Sequence, residues 1–285
     1  MFKFLLHGLF VKRSKVKRAR LLILILVIAV LSSCSQSNPG DEKLIRFGLS
    51  NNPVTFDPRY ATDAVSSRIN RLIYERLVDF NDQIKVVPSL ADWQQISPSH
   101  YRFKLIKRSQ FHHGKPLTMK DVKATYDNIL TDKKISPHRN SIKHIQRIEV
   151  IDEQTLDFHL SRADSLFPSL LIMAILPADL LAQGYDFNTK PIGSGNFSFV
   201  NWPNDQLVQL KRIKDQLLFE FVSIKDPTVR ILKLLRGEVD IIQNNLPTEQ
   251  IEYLKKHQDI KYQQIEGSNY SYIGFNLEDP ITKNK

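Results

Sequence analysis

The chain is poor in the residues that build several common catalytic and extracellular devices. It has one cysteine, Cys34, so no internal disulfide can form. Glycine is sparse, with 10 residues, and neither a G-x-G-x-x-G nor a P-loop spacing occurs. The phosphate cradles that depend on those patterns are therefore missing. Ser194 lies in Gly193-Ser194-Gly195, but Ile192 and Asn196 stand where a G-x-S-x-G elbow needs its outer glycines. No acidic residue precedes Asp41. No internal repeat is visible, and no apolar run approaches the roughly 20 residues needed to span a bilayer.

The acid-free N-terminus is instead strongly patterned. Lys3, Lys12, Arg13, Lys15, Lys17, Arg18 and Arg20 precede an unbroken apolar run from Leu21 to Leu31, which leads into Ser32, Ser33 and Cys34. A positive region, an apolar region of 11 residues and small residues at a processing point form an export signal. Leu31-Ser32-Ser33-Cys34 also resembles the bacterial lipobox, in which cleavage precedes the cysteine and a lipid modifies its thiol. The expected organisation is a signal peptide over 1–33, lipid attachment at Cys34 and a polar tether over 34–43, with the remainder outside the cytoplasm on a membrane surface. The signal also accounts for most of the formal charge of +10. Beyond residue 33 the chain carries 33 Lys plus Arg against 30 Asp plus Glu, a net of +3 with no basic block, so no nucleic-acid partner is expected.

The rest reads as strands separated by helices. Leu44–Leu49 has strand-like alternation and runs into the turn Ser50-Asn51-Asn52-Pro53. Val65, Ile69, Leu72, Ile73 and Leu77 have helical spacing, with Arg68, Arg71, Glu75 and Arg76 on a solvated face. A short Trp93 segment precedes the alternating strand Tyr101–Leu105. Thr118 with Asp121 marks a capped helix from Met119 to Leu130. Ile145–Ile151 and Thr155–Leu160 form a hairpin around Asp152-Glu153-Gln154. Leu166–Leu181 is apolar and reads as helical, interrupted by Pro168 and Pro177. Strands follow through Trp202, Leu210 and Leu217–Ile224. Asp226 caps a helix closed by Gly237, and Val239–Ile242 forms a short strand. Thr248 caps a helix to Lys256, with further strands near Ile260–Ile265 and Tyr270–Asn276. Mixed helices and strands of this order imply an α/β domain with a mixed sheet.

Four segments in this order resemble the dipeptide and oligopeptide-binding class of bacterial extracellular solute-binding proteins. Thr55-Phe56-Asp57-Pro58 is similar to the family's leucine-aspartate-proline turn, with Phe56 for leucine. Phe111-His112-His113-Gly114-Lys115-Pro116-Leu117-Thr118 with Asp121-Val122 resembles its F-H-D-G-x-P-L-T-x-x-D-V segment, with His113 for aspartate. Pro191 to Phe197 resembles its P-x-G-T-G-P-aromatic turn, with Asn196 for proline. Asp226-Pro227-Thr228-Val229-Arg230, followed by Leu235, Gly237, Glu238, Val239, Asp240 and Ile241, resembles its D-x-T-x-R … L-x-x-G-E-x-D-I stretch.

The resemblance implies a periplasmic-binding-protein-like fold of type II, peptide-binding class, and a monomer that delivers short peptides to ABC permease subunits. It implies a first lobe from 44–62 and 185–270, an inserted subdomain over 63–184, and a crossover over 271–285 into a second lobe that largely lies beyond Lys285. The acidic residue that holds a peptide's α-amino group would fall in that second lobe. Ligand candidates within the chain are Asn52, Pro53 and Val54 after the first strand, Ser194, Gly195 and Asn196 in the glycine turn, and Tyr270, Tyr272 and Asn276 at the crossover. No enzyme activity, cofactor or metal is expected. Tyr270, Tyr272, Phe275 and Trp202 could stack on ligand or fill the core. Alternatives are a non-transport surface lipoprotein or a decayed fragment, and a secreted hydrolase using Ser194 or the pair His112–His113.

Overall fold

The computed structural model describes residues 44–243, 246–264 and 273–282. Its first strand, β1 (Leu44–Leu49), lies within a five-stranded sheet built with β8 (Phe197–Asn204), β9 (Leu207–Arg212), β10 (Leu218–Ser223) and β11 (Ile241–Ile242), in the order β11-β1-β10-β9-β8. β1 runs parallel to both of its neighbours, whereas β10, β9 and β8 are mutually antiparallel. The sheet is therefore mixed, as the element pattern predicts.

Helix α1 (Ala64–Ile73) lies against this sheet. Asp63 accepts from the backbone N–H groups of Val65 and Ser66 at its start, which satisfies two donors that a helix leaves unpaired. Its apolar stripe, Val65, Ile69 and Ile73, joins Phe56, Leu210 and Phe221 in one core. The five strands fall within 44–62 and 185–270, and α1, which begins after residue 62, packs on them as well.

The region between α1 and β8 forms a second sheet. β4 (Ala91–Ser97), β5 (His100–Leu105), β7 (Thr155–Leu160) and β6 (Ile145–Val150) pair antiparallel in that order. Beside them is the two-stranded ladder of β2 (Val78–Phe80) and β3 (Val86–Pro88). Tyr101 and Phe103 of β5, with Leu156, Phe158 and Leu160 of β7, point into a second core. That core is covered by α2 (Met119–Thr131), whose Met119, Val122, Tyr126 and Ile129 are buried at spacings of three and four residues. The Asp121 carboxylate accepts from both the backbone N–H and the hydroxyl of Thr118, the cap legible in the sequence. A short α3 (Arg139–Ile142) follows α2.

Two segments join the sheets side by side. Arg76 bridges Ala174, and Ile175 N–H donates to the Glu75 carbonyl at 2.9 Å. This arrangement corrects two sequence expectations. The helix expected to reach Leu77 ends at Ile73, with Tyr74 extended. Glu75 and Arg76 thus leave the helix face and are largely buried, Glu75 paired with Lys107 and Arg76 near Asp79. The apolar stretch Leu166–Leu181 is mostly not helical. It contains a 3₁₀ turn (Phe167–Leu170), an irregular crossing with one bridge at Ala174, and a short α4 (Ala178–Ala182). Ile175 serves one core while Ala174 and Leu176 serve the other. A segment apolar on both sides because it separates two cores imitates a buried helix in sequence.

Near the end, α5 (Pro227–Leu235) begins at Asp226, whose carboxylate accepts from Val229 N–H, and stops before Gly237 at φ +69°. α6 (Thr248–Leu254) has Pro247 as N-cap, so Thr248 is its first helical residue rather than its cap. The Trp93 segment is longer than expected, the seven-residue strand β4. Residues 260–264 are not strand, and neither are 273–276, where Ile273 and Phe275 are exposed. The apolar alternation there has no neighbouring strand among the described residues. Among those residues, no helix is long and apolar enough to cross a membrane.

Candidate functional site

Because β1 is parallel to β10 and β11, all three strands end at one edge of the sheet. Ligands of open α/β sheets bind outside the carboxyl ends of such strands, where backbone groups emerge without ladder partners. Here that edge carries the loop Ser50–Val54 after β1. The loop is pinned from α1: Ser66, fully buried, accepts with its hydroxyl from Val54 N–H at 2.8 Å and Thr55 N–H at 3.1 Å. Pro53 is buried and fixes the local backbone, and Val54 is 72% exposed. The Asn52 side-chain oxygen is buried without a hydrogen-bond partner among the described residues. An acceptor in that state is costly unless something donates to it.

The turn containing Ser194, Gly195 and Asn196 lies at the other end of α1. Gly195 N–H donates to the Ile73 carbonyl at 2.8 Å, satisfying one carbonyl left open where the helix ends. A side chain at Gly193 or Gly195 would collide with the last turn of α1. His112 closes the turn from the inserted region. Its backbone N–H donates to Gly193 O at 2.8 Å, its Nε2 meets Gly195 O at 3.0 Å, and Gly193 N–H approaches Nδ1 at 3.4 Å. The bond to a carbonyl assigns the proton to Nε2 and leaves Nδ1 as acceptor. Burial pushes the pKa of this imidazole below its ordinary value, partly opposed by the bond to Gly195.

This geometry bears on a nucleophile at Ser194. Its hydroxyl is buried and has no partner among the described residues, while both nitrogens of His112 face the turn backbone. His113 is directed elsewhere, 3.6 Å from Asp179. A serine hydrolase needs an imidazole in reach of the hydroxyl. The arrangement is instead a clamp that fastens His112 of the inserted region to the glycine turn before β8. Asn196 is exposed and its carbonyl accepts from Ile213 N–H.

The structure thus attaches two of the three predicted ligand segments to one helix. Ser66 and Ile73 are seven positions apart, about 10 Å along the axis. Of the third segment, Tyr270 and Tyr272 lie outside the described residues, as does Cys34. Asn276 is exposed and accepts from Glu278 and Asp279 in a local turn. Trp202 meets Phe56 edge-on at 4.8 Å and packs on the core.

Sequence reasoning missed a cavity of about 650 Å³ that shares Val54 with the loop and continues over Thr55. Its charged wall is Arg59, bound side-on to Asp57 and donating to Asn128 at 2.6 Å. Lys134 stands over the Tyr60 ring at 3.7 Å from the centroid, and burial raises the Tyr60 pKa above its ordinary value, which keeps the hydroxyl neutral. The spacing Asp57-x-Arg59-Tyr60 was a readable signal for a side-on pair, but Asn128 and Lys134 join it only through the packing of α2.

Comparison with known proteins adds an independent line. A family model described as bacterial extracellular solute-binding proteins, family 5 Middle, matches residues 85–285. The di/tripeptide-binding protein 1 of Pseudomonas aeruginosa is 29% identical, over 93% of this chain and 56% of its own. The solved structure of the oligopeptide-binding protein AppA from Bacillus subtilis, in complex with a nonapeptide, superposes with a TM-score of 0.70 at 25% identity, covering 76% of this chain and 47% of that one. AgaA from A. tumefaciens R10, in complex with agropinic acid, gives 0.69 at 28%, covering 75% and 46%. The chain spans about half the length of the curated relatives it matches.

Proposed function

The chain belongs to the bacterial extracellular solute-binding proteins of family 5, and from that membership we propose that it is the ligand-capturing component of an ABC importer for short peptides. The observation that carries the reading is the Asn52–Val54 loop at the carboxyl edge of β1. It places the exposed Val54 and an unpaired amide oxygen of Asn52 just beyond the carboxyl end of β1, where a ligand's backbone donor can reach past the strand ladder. Recognition through main-chain hydrogen bonds tolerates many side chains, which suits an importer of mixed peptides. The named ligands of similar proteins, a nonapeptide in one and agropinic acid in another, fit a scaffold whose pocket chemistry varies.

In this reading 44–62 and 185–270 form one lobe, 63–184 an insert locked to it through His112, and 271–285 leads to a second lobe that closes over the ligand. Ser194, Gly195 and Asn196 then act on the ligand site through α1, and Tyr270, Tyr272 and Asn276 from the crossover side. Residues 1–33 direct export, and a lipid on Cys34 holds the protein at the outer face of a membrane as a monomer, beside its permease. No covalent step is assigned to it: capture and release are conformational. Isothermal calorimetry of the full chain with di- to pentapeptides tests the proposal. Saturable binding at one peptide per chain is expected, and no heat across the series would overturn it.

A further inference from the structure

The outer face of the four-stranded sheet carries a constellation that peptide capture leaves unused. Alternation along β5 and β7 sends Tyr101, Phe103, Leu156 and Phe158 inward, so His100, Arg102, Asp157 and His159 face outward. Register then makes a grid across three strands. His100, His159 and Arg147 form one row, and Arg102, Asp157 and Glu149 the next.

The two imidazoles stack with centroids 4.3 Å apart and planes 24° from parallel. His100 Nε2 lies 3.0 Å from Asp157 Oδ2, and one coordinating atom from each of His100, Asp157 and His159 falls within 4.8 Å of the others. Glu149 adds a carboxylate oxygen 3.4 Å from His159 Nε2. Asp157 is 3% exposed, and Arg102 grips it through both oxygens at 2.8 Å. The guanidinium thereby orients the carboxylate, as an outer hydrogen-bond partner orients a metal ligand.

We propose that His100, His159 and Asp157 form a divalent transition-metal site of the zinc class on the outer face of this sheet, with Glu149 able to complete it. Two imidazole nitrogens with one or two carboxylates select such ions over magnesium or calcium, which prefer oxygen shells. Ligand atoms around tetrahedral zinc sit about 3.3 Å apart, given bonds of about 2.0–2.1 Å. The His100–Asp157 pair, at 3.0 Å, is already near that value, and an ion would have to draw His159 in from within 4.8 Å. The histidines are 22% and 26% exposed, so the ion has a path in from solvent. Arg147 is its competitor: its guanidinium donates to His159 Nε2 at 3.0 Å and pairs with Glu149 at 2.9 Å. Metal entry must swing that side chain away. A bound ion would then join β5 to β7 at a directly paired position and fasten the insert.

The test is calorimetric titration of Zn²⁺ into the chelator-stripped full chain, with Cu²⁺ paramagnetic resonance as a second readout. One saturable site is expected, with two-nitrogen coupling in the copper spectrum. The double variant H100A/H159A should weaken that site at least about 10-fold and lose the coupling, whereas R147A should tighten it. Absence of a saturable site would overturn the proposal. So would binding unchanged in the double variant, which would move the ion to other histidines or to Cys34. Circular dichroism and melting in chelator should match wild type for all variants, and peptide binding should persist in each.

Discussion

Gly193 illustrates how one residue can couple distant parts of a chain. A Cβ there would fall inside van der Waals contact of the Ile73 carbonyl, a backbone group that cannot swing aside as a side chain can. Its backbone φ is not in the left-handed region, so the requirement for glycine is close approach rather than conformation. Gly193→Ala should therefore destabilise the protein by about 1–3 kcal/mol, toward the upper end because the obstruction is main chain. Urea denaturation with an unchanged m-value would register it. A loss within error of zero would mean that the turn is free to move off the helix. The glycines were legible in the sequence as a turn. Their partner was not, because Ile73 lies 120 positions away and only packing brings it there.

At the scale of the element, α1 supports both ends of the candidate site. Its N-terminal turn supplies Ser66 to the ligand loop and its last turn receives Gly195. Ser66→Ala removes the acceptor shared by Val54 and Thr55, and leaving these part-buried N–H groups unpaired should cost about 1–3 kcal/mol. The same change frees the loop, so peptide affinity measured by calorimetry should fall more than in a control of equal stability loss, such as an apolar truncation in the core of β7. Equal affinity in both would detach the loop from ligand binding. The helix itself was readable from Val65, Ile69 and Ile73. Its end was not, since apolar Leu77 continues the pattern in sequence while in space it belongs to the other core.

For the whole molecule, His112 ties the insert to the five-stranded sheet across 83 residues. Its pKa is lowered from 6.5, chiefly by burial. As the pH falls below 6.5, the unfolded chain takes up a proton that the folded imidazole resists, so the unfolded state binds more protons and stability declines with falling pH. The contribution is fully present above 6.5 and is lost as the pH drops through the folded value. Urea midpoints measured from neutral to mildly acid conditions should show a shallower pH dependence in His112→Asn than in wild type. Identical slopes would show that His112 titrates as it does in the unfolded chain.

Local decisions were legible in the chain: the caps at Thr118 and Asp226, the hairpin of β6 and β7, the stop at Gly237, and the four ordered segments that resemble the family. These depend on neighbours within a few positions, where hydrogen-bond reach and side-chain periodicity suffice. Packing in three dimensions settled which apolar residues serve which core, why residues 171–176 are not helical, and how Arg59 meets Asn128. It also decided that His100 and His159 stack, because strand register joins positions that the chain separates by 59 residues. Periodicity identifies the face a residue occupies, but only pairing across strands and helices determines what stands beside it.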